Sequence, residues 1–323
     1  MNGDLILCYH RVAAPRRDPQ LLAVSPERFA AQMEHLAGCY RPASLDEIAA
    51  TPGRGGRVAV TFDDGYADNL HLAAPILEQY GIPATVYVVA DNATTGRAFW
   101  WDELDSLLLG PTGADLPPVL ELPGNGAPIR AALPRPGVGS PYAGTAEGWS
   151  VLSQGNPGPG HHAYRTLYPQ LLALDPQGRE QALAALRNLA GPGDPDPETR
   201  PLAPAEVAQL DARPGLAVGA HTLRHPVLSA LPEAEQEREI ADGAARLAAM
   251  AGRPATHFSY PYGSAGQFTD QTVDLVRQAG FATAVTTIKG LAGAGIDPLR
   301  LPRHLVRDWD AATFAARLKE WMP

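Results

Sequence analysis

Short unbroken apolar runs alternate along this chain with longer stretches in which apolar residues recur every three or four positions. The runs 5–10, 58–62, 84–89, 216–220, 255–260 and 281–286 are the length of strands buried on both faces. Between them lie helical patterns with start and stop signals. Ser25-Pro26 opens one that carries Phe29, Met33, Leu36 and Ala37, with Gly38 as its expected stop. Ser44 and Glu47 form a capping box for a short helix. A helix over 67–80 ends at Gly81, and Ile240, Ala244, Leu247, Ala248 and Ala251 mark another that ends at Gly252. A further helix reaches Gly280, and the chain closes on one near 311–321. Strand and helix in alternation predict an α/β protein: a parallel sheet or barrel wrapped by helices.

Residues 92–205 break this rhythm. They hold many of the 32 prolines and 32 glycines, most densely over 134–160. Leu167, Leu171, Leu172, Leu174, Leu183, Leu186 and Leu189 recur across one broken amphipathic segment. The stretch reads as an insertion, a cap or lid carried within a single domain of 1–323. For 134–160 a surface excursion without function is an equal reading.

Composition narrows the classes. The 26 basic and 35 acidic side chains leave a net charge of −9 with no basic block, which argues against nucleic acid as a partner. No apolar stretch approaches the roughly 20 residues that span a bilayer. The start, Met1-Asn2-Gly3-Asp4, runs straight into the first strand without a basic region or cleavage site. Cys8 and Cys39 lack metal-type spacing and read as reduced thiols, so the expected location is cytoplasmic. Nothing in the sequence signals an oligomeric state.

The chemistry concentrates at two strand ends. The run Val58–Phe62 stops at Asp63-Asp64-Gly65, and Gly65 permits a turn that most residues resist. Downstream, Gly219-Ala220 leads to His221-Thr222-Leu223-Arg224-His225-Pro226. On a helical turn two imidazoles four residues apart would share a face. Two histidines and one carboxylate make a three-ligand site open to water and substrate, the pattern of a catalytic metal, and leave the other aspartate as a base. Either motif alone is more often a capped turn or a solvated helix face; their joint appearance points to a metal-dependent hydrolase.

With Thr61-Phe62-Asp63-Asp64-Gly65 and His221-Thr222-Leu223-Arg224-His225-Pro226 both present, the chain resembles the polysaccharide deacetylase family, the NodB-type carbohydrate esterases. Ser259-Tyr260-Pro261-Tyr262-Gly263 is similar to that family's third motif, and the resemblance covers about 1–90 and 205–310. It implies a distorted (β/α) barrel, TIM-barrel-like, that removes acetyl groups from N-acetylated sugars. It implies Asp63 as general base, Asp64, His221 and His225 as metal ligands, and the N–H of Tyr262 at the oxyanion. Two departures stand out. Ser259 occupies the place of an arginine that orients the base, and Arg303 or Arg300 is the expected substitute. The usual C-terminal Leu-x-His segment that carries the general acid is missing. Cys8-Tyr9-His10-Arg11 resembles instead a subgroup that begins with a Tyr-His pair, which implies His10 as general acid, with His304 as the runner-up.

Other candidates weigh less. His161-His162 read as solvated residues of a Gly/Pro-rich loop, and His35 and His71 as helix-surface residues. Trp100-Trp101 read first as packing for the cap and second as a stacking platform for sugar rings; Asp102 and Glu103 read as helix caps. The expected function is hydrolysis of an N-acyl, foremost N-acetyl, group on an amino-sugar-containing saccharide or glycoconjugate precursor. The expected cofactor is a divalent metal, Zn2+ by default, with Fe, Co, Ni or Mn suited to the same ligands. The alternative is a carbohydrate-binding protein that keeps the fold without turnover.

Overall fold

The computed structural model describes residues 3–110, 116–134, 142–191 and 193–322. The chain divides into two compact units, one of 1–14, 22–97 and 201–323, the other of 15–21 and 98–200. The second thus includes a short N-terminal piece that the sequence reading of 92–205 did not assign to it.

Among the described residues, the larger unit holds an eight-stranded sheet in the order Thr283–Val285, His257–Ser259, Leu216–Ala220, Ala84–Val88, Arg57–Phe62, Leu5–Tyr9, His304–Leu305, with Arg41–Pro42 also paired to Arg57–Phe62. All its ladders are parallel. The order closes on itself. Just before His304–Leu305, the Leu301 N–H donates to the Ala284 carbonyl at 2.9 Å, and the Leu301 carbonyl accepts from Thr286 N–H at 2.9 Å. The C-terminal segment is therefore bonded to the first strand of the order on one side and to Leu5–Tyr9 on the other. This is the distorted (β/α) barrel expected from the sequence.

Side chains sort by the two-residue period of a strand. Leu5, Leu7, Tyr9, Val58, Val60, Phe62, Val86 and Val88 join the large core shared with the helices. Ile6, Ala59, Tyr87, Val285 and Leu301, of alternate parity, form a separate cluster that fills the barrel interior. Both faces are buried, which is why the strands read as continuous apolar runs rather than alternating ones.

Several local expectations are refined. The helix Pro26–Cys39 runs through Gly38, and Ser25 bonds the Asp308 carboxylate at 2.9 Å instead of capping. The Ser44/Glu47 capping box forms. The helix expected over 67–80 starts as a π-turn, Asn69–Ala73, before Ala74–Tyr80, and stops at left-handed Gly81. In the smaller unit the broken leucine segment is two helices, Pro159–Leu172 and Pro176–Ala190, the second capped by Asp175. His161 and His162 lie in the first turn of the former, not in a loop, and Trp149 meets the His161 ring at 4.8 Å. Trp100 packs on Tyr168 at 4.7 Å and under Arg179, while Trp101 stacks on Phe99 at 5.0 Å. Of the Pro/Gly-rich 134–160, residues 135–141 lie outside the described residues. No helix of the described residues is long and apolar enough to cross a membrane.

At the N-terminal ends of the strands the buried Arg57 donates to Asp4 through Nε at 2.9 Å and Nη2 at 2.6 Å. Removing one partner of such a pair strands the other charge. Arg57→Ala is expected to cost about 3–5 kcal/mol in urea-induced unfolding, whereas a loss no larger than that of a surface arginine would show the pair to be unimportant.

Candidate active site

The candidate ligands, Asp63, His10 and Tyr262 all follow the C-terminal end of a strand on one rim of the barrel, the end where (β/α) barrels carry their sites, whereas Arg303 and His304 lie at the start of the closing strand. His10 follows Tyr9, Asp63 and Asp64 follow Phe62, His221 follows Ala220, and Tyr262 stands three residues beyond Ser259.

Two of these rims use the same strained turn. At Asp63-Asp64-Gly65 the Gly65 N–H reaches back to the Asp63 carbonyl at 3.0 Å, with φ of 73° at Asp64 and 80° at Gly65. At Pro261-Tyr262-Gly263 the Gly263 N–H reaches the Pro261 carbonyl at 2.7 Å, with φ of 61° at Tyr262 and 64° at Gly263. A three-residue turn with positive φ at its centre is rare and strained. Each non-glycine residue held there costs about 1–3 kcal/mol. Thr222 and His225 also have positive φ, so four of the five such non-glycine residues among the described residues belong to the site. A side chain at Gly65 would press on Val88 from 3.1 Å, which leaves glycine as the residue for that step.

The two histidines do not share a helical turn; residues 221–227 form an irregular loop, because left-handed Thr222 and His225 prevent helix. The loop still brings them together. His225 Nε2 lies 3.1 Å from His221 Nε2, and these atoms lie 3.5 and 3.6 Å from Asp64 Oδ1. All three residues are buried. His221 Nδ1 is 2.7 Å from the Ser259 carbonyl. A carbonyl only accepts, so Nδ1 carries the proton and Nε2 faces Asp64 and His225 as a bare lone pair. Burial pushes the His221 imidazole down, against the pull of Asp63, and so favours the neutral form that ligation needs. The three ligand atoms lie within 4.8 Å of one another. This donor set fits a divalent cation.

Asp63 is built differently. Arg303, fully buried, grips its carboxylate in a fork, Nη1 to Oδ1 at 2.8 Å and Nη2 to Oδ2 at 2.6 Å. Its other donors go to Thr61 Oγ1 at 3.0 Å, Ser259 Oγ at 3.1 Å and the Thr286 carbonyl at 2.9 Å, so all five guanidinium N–H groups are used. Burial raises the Asp63 carboxyl, but Arg303 and then His221 more than reverse this and hold it well below the usual carboxylate range. Arg303, then, is the cation beside the first aspartate; Arg300 pairs with Asp270 and Asp297 on the surface. Ser259 leaves room for a side chain that arrives from another segment.

Cys8 Sγ and His10 complete this cluster, with one atom each of Cys8, His10 and Asp63 within 4.8 Å. The thiol donates to Asp63 Oδ2 at 3.6 Å, and Asn69 Nδ2 holds the His10 carbonyl at 2.9 Å. His10 is half-buried, and burial pushes its imidazole down to about 4, opposed by Asp63. His304 is not brought here: its Nε2 faces Gly290 at 3.1 Å and its ring lies on Trp321 at 4.4 Å. The parity of the strands explains the difference. His10 shares the inward face of Ile6 and Cys8, whereas His304 is one step out of register with Leu301 and Arg303. Tyr262 sets its ring 4.6 Å from that of His225, and its carbonyl accepts from Thr287 Oγ1 at 2.7 Å.

Two aspartates, two histidines and a strained Pro-Tyr-Gly turn gathered on one rim of a parallel barrel fit a hydrolase of the carbohydrate-esterase kind. The chain belongs to the polysaccharide deacetylase family, whose sequence model matches residues 50–109 and 180–284. That membership supports a carbohydrate deacetylase activity. No curated protein matches the chain. Among solved structures, IcaB from Ammonifex degensii is similar at 19% identity and a TM-score of 0.60, over 100% of this chain and 97% of that one. The Streptococcus pyogenes deacetylase PplD in complex with acetate is similar at 17% identity and 0.54, over 99% and 98%. A de-N-acetylase from Aggregatibacter actinomycetemcomitans is similar at 15% and 0.56, over 98% and 99%. At these identities the likeness is one of fold.

Arg303→Met leaves the Asp63 carboxylate buried without its cation. The expected cost is about 3–5 kcal/mol in urea unfolding, much of it recovered when Asp63→Asn is added, because the stranded charge goes with it. Additive losses in the double variant would show that the pair is not coupled.

Proposed function

We propose that this protein is a metal-dependent N-deacetylase of an amino-sugar-containing saccharide or glycoconjugate precursor, and that Asp64, His221 and His225 hold the metal. The observation that carries the reading is the convergence of those three ligand atoms within 4.8 Å beside an aspartate held ionised by Arg303. A divalent cation bound there lowers the pKa of water towards about 7 and polarises the acyl carbonyl.

The roles of the chain's own groups follow from their surroundings. Asp63, kept far down by Arg303, is too weak a base for bulk water and suits only a water already made acidic. It takes the proton as the water oxygen bonds to the acyl carbon. The backbone N–H of Tyr262 steadies the resulting oxyanion. His10, close to Asp63, passes a proton to the departing nitrogen as the C–N bond breaks, leaving acetate and a free amine. The proton it gives is the one Asp63 has taken, so both groups return to their starting states, with burial holding the imidazole down against the pull of Asp63. The N-terminal Tyr-His pair therefore does the work that other members assign to a C-terminal histidine. Zinc is the default metal, with iron, cobalt, nickel or manganese compatible with the same ligands.

The rival reading, a sugar-binding protein without turnover, has two grounds: Ser259 where arginine is usual, and the missing C-terminal acid, for which His10 is the proposed substitute. Arg303 argues against the first ground by supplying the guanidinium from the closing segment.

The test is acetate and amine release from a panel of N-acetylated sugars, with and without chelator. Release is expected to vanish with chelator, to return with Zn2+ or Co2+, and to be lost in Asp63→Asn. Sugar binding without metal-dependent release would favour the rival reading. Alanine at each histidine separates the candidate acids: His10→Ala should lower kcat by about 10²–10⁴-fold, and His304→Ala should leave it near wild type. Near-normal turnover in His10→Ala would reassign the acid.

A further inference from the structure

The loop that carries both histidines is gripped by a residue outside the chemistry. The helix Glu233–Ala251 presents Glu239, 1% exposed, beneath the loop. The Glu239 carboxylate accepts from the backbone N–H of Arg224 at 2.8 Å and from Arg224 Nε at 2.7 Å, and the Glu239 carbonyl accepts from Leu223 N–H at 2.9 Å. One turn along, Gly243 lets the helix approach so closely that a Cβ there would stand 2.6 Å from the carbonyl carbon of Thr222. From the opposite side the N–H groups of Ala90 and Asp91 donate to the carbonyls of Thr222 and Leu223 at 3.2 and 2.9 Å.

Leu223 and Arg224 stand between the two left-handed residues, Thr222 and His225. A backbone with two strained steps persists only where its surroundings over-determine it. Burying a carboxylate is costly unless it is well bonded, and the Arg224 side chain is 46% exposed against 1% for Glu239. The carboxylate is thus drawn inward to the loop backbone rather than held at the surface by its arginine.

We propose that Glu239 is a positioning residue for the cation site. By accepting from the Arg224 N–H between the histidines, its carboxylate adds to the main-chain bond at Leu223 and holds the loop in the arrangement that turns both Nε2 atoms onto Asp64. The inference rests on the reading of Asp64, His221 and His225 as cation ligands. Without the clamp the loop relaxes, and the cation must order it on binding, which weakens affinity.

The experiment is isothermal titration of Co2+ into the chelator-stripped full chain, with folding checked by circular dichroism. The variants are Glu239→Ala, Glu239→Gln and, as a control, Arg57→Ala. Glu239→Ala should weaken Co2+ binding by about 10–100-fold, the usual range for groups that orient metal ligands. Glu239→Gln keeps an acceptor for the backbone and should recover part of that loss. Arg57→Ala, destabilised at the far end of the strands, should bind Co2+ as the wild type does. Wild-type affinity in Glu239→Ala and Glu239→Gln would overturn the proposal and leave the metal site standing. Equal weakening in Arg57→Ala would also overturn it, by making the effect one of general stability. Should Glu239→Ala fail to fold, Glu239→Gln decides alone: weaker binding supports the clamp, and unchanged binding removes it. A wild type that binds no cation would fail the metal reading itself, and this inference with it.

Discussion

The Arg303–Asp63 pair ties the two ends of the barrel's strand order to its chemistry. Asp63 ends a central strand, Arg57–Phe62, while Arg303 lies on the segment that closes the ring. Neither charge is tolerable alone in a buried setting, so the fork between them requires the ring to be closed in one register. The same guanidinium reaches Ser259 Oγ, and the Ser259 carbonyl takes the proton on His221 Nδ1. One serine therefore joins the half of the site built on Asp63 to the half built on Asp64, His221 and His225. A larger side chain at 259 would compete with Arg303 for that space. The small residue at 259 and the arginine at 303 form one arrangement, not two independent departures from the family's pattern.

Around that pair, the site is made of strain that the barrel absorbs. The turns at Asp64 and Tyr262 put non-glycine residues at positive φ directly before a glycine. Each turn is pinned by its neighbours: the Asp64 carbonyl accepts from Val89 N–H at 3.2 Å, and the Gly263 carbonyl accepts from Thr287 N–H at 2.9 Å. A rigid rim of adjacent parallel strands supplies those donors, which a free loop would lack. The result is a set of polar groups aimed inward before any ligand arrives, the condition under which electrostatic catalysis avoids reorganisation.

Much of this was legible in the chain, for identifiable reasons. Asp63, Asp64, His221 and His225 stood out because apolar runs buried on both faces ended abruptly in polar residues. The helical reading of His221–His225 went wrong because spacing alone does not reveal positive φ at Thr222 and His225. Arg303 and Arg300 looked equivalent as charges in a loop. They separate only when Leu301 is seen as a barrel-interior residue, after which the two-residue period carries Arg303 inward. The same parity, counted from Ile6 through Cys8, distinguishes His10 from His304. Glu239 was passed over because the apolar stripe of its helix was read from Ile240, Ala244 and Leu247, yet a carboxylate beside that stripe was itself a signal. The seven residues 15–21 could not be assigned to the smaller unit from pattern, since Arg17 is anchored to Asp105 at 2.8 Å by a contact distant in sequence.

The arrangement also accounts for why the candidate base, the candidate acid and the candidate ligands lie on different strands rather than on one motif. A carboxylate made strongly acidic by Arg303 is useful only beside something that acidifies water more than bulk solvent does. That places a demand on the neighbouring Asp64, His221 and His225, whose burial, with the His221 imidazole pushed down by it, suits a divalent cation. The cation in turn needs ligands whose positions do not drift. Hence the third layer, in which Glu239 and the first turn of the helix Ala90–Thr95 hold the histidine loop from two sides. Each layer compensates for a cost in the layer inside it: an acidified base, a clustered set of polar side chains, a strained loop. On the proposed reading, a single substitution in the outermost layer, far from the reacting atoms, acts on the innermost step through the bound cation.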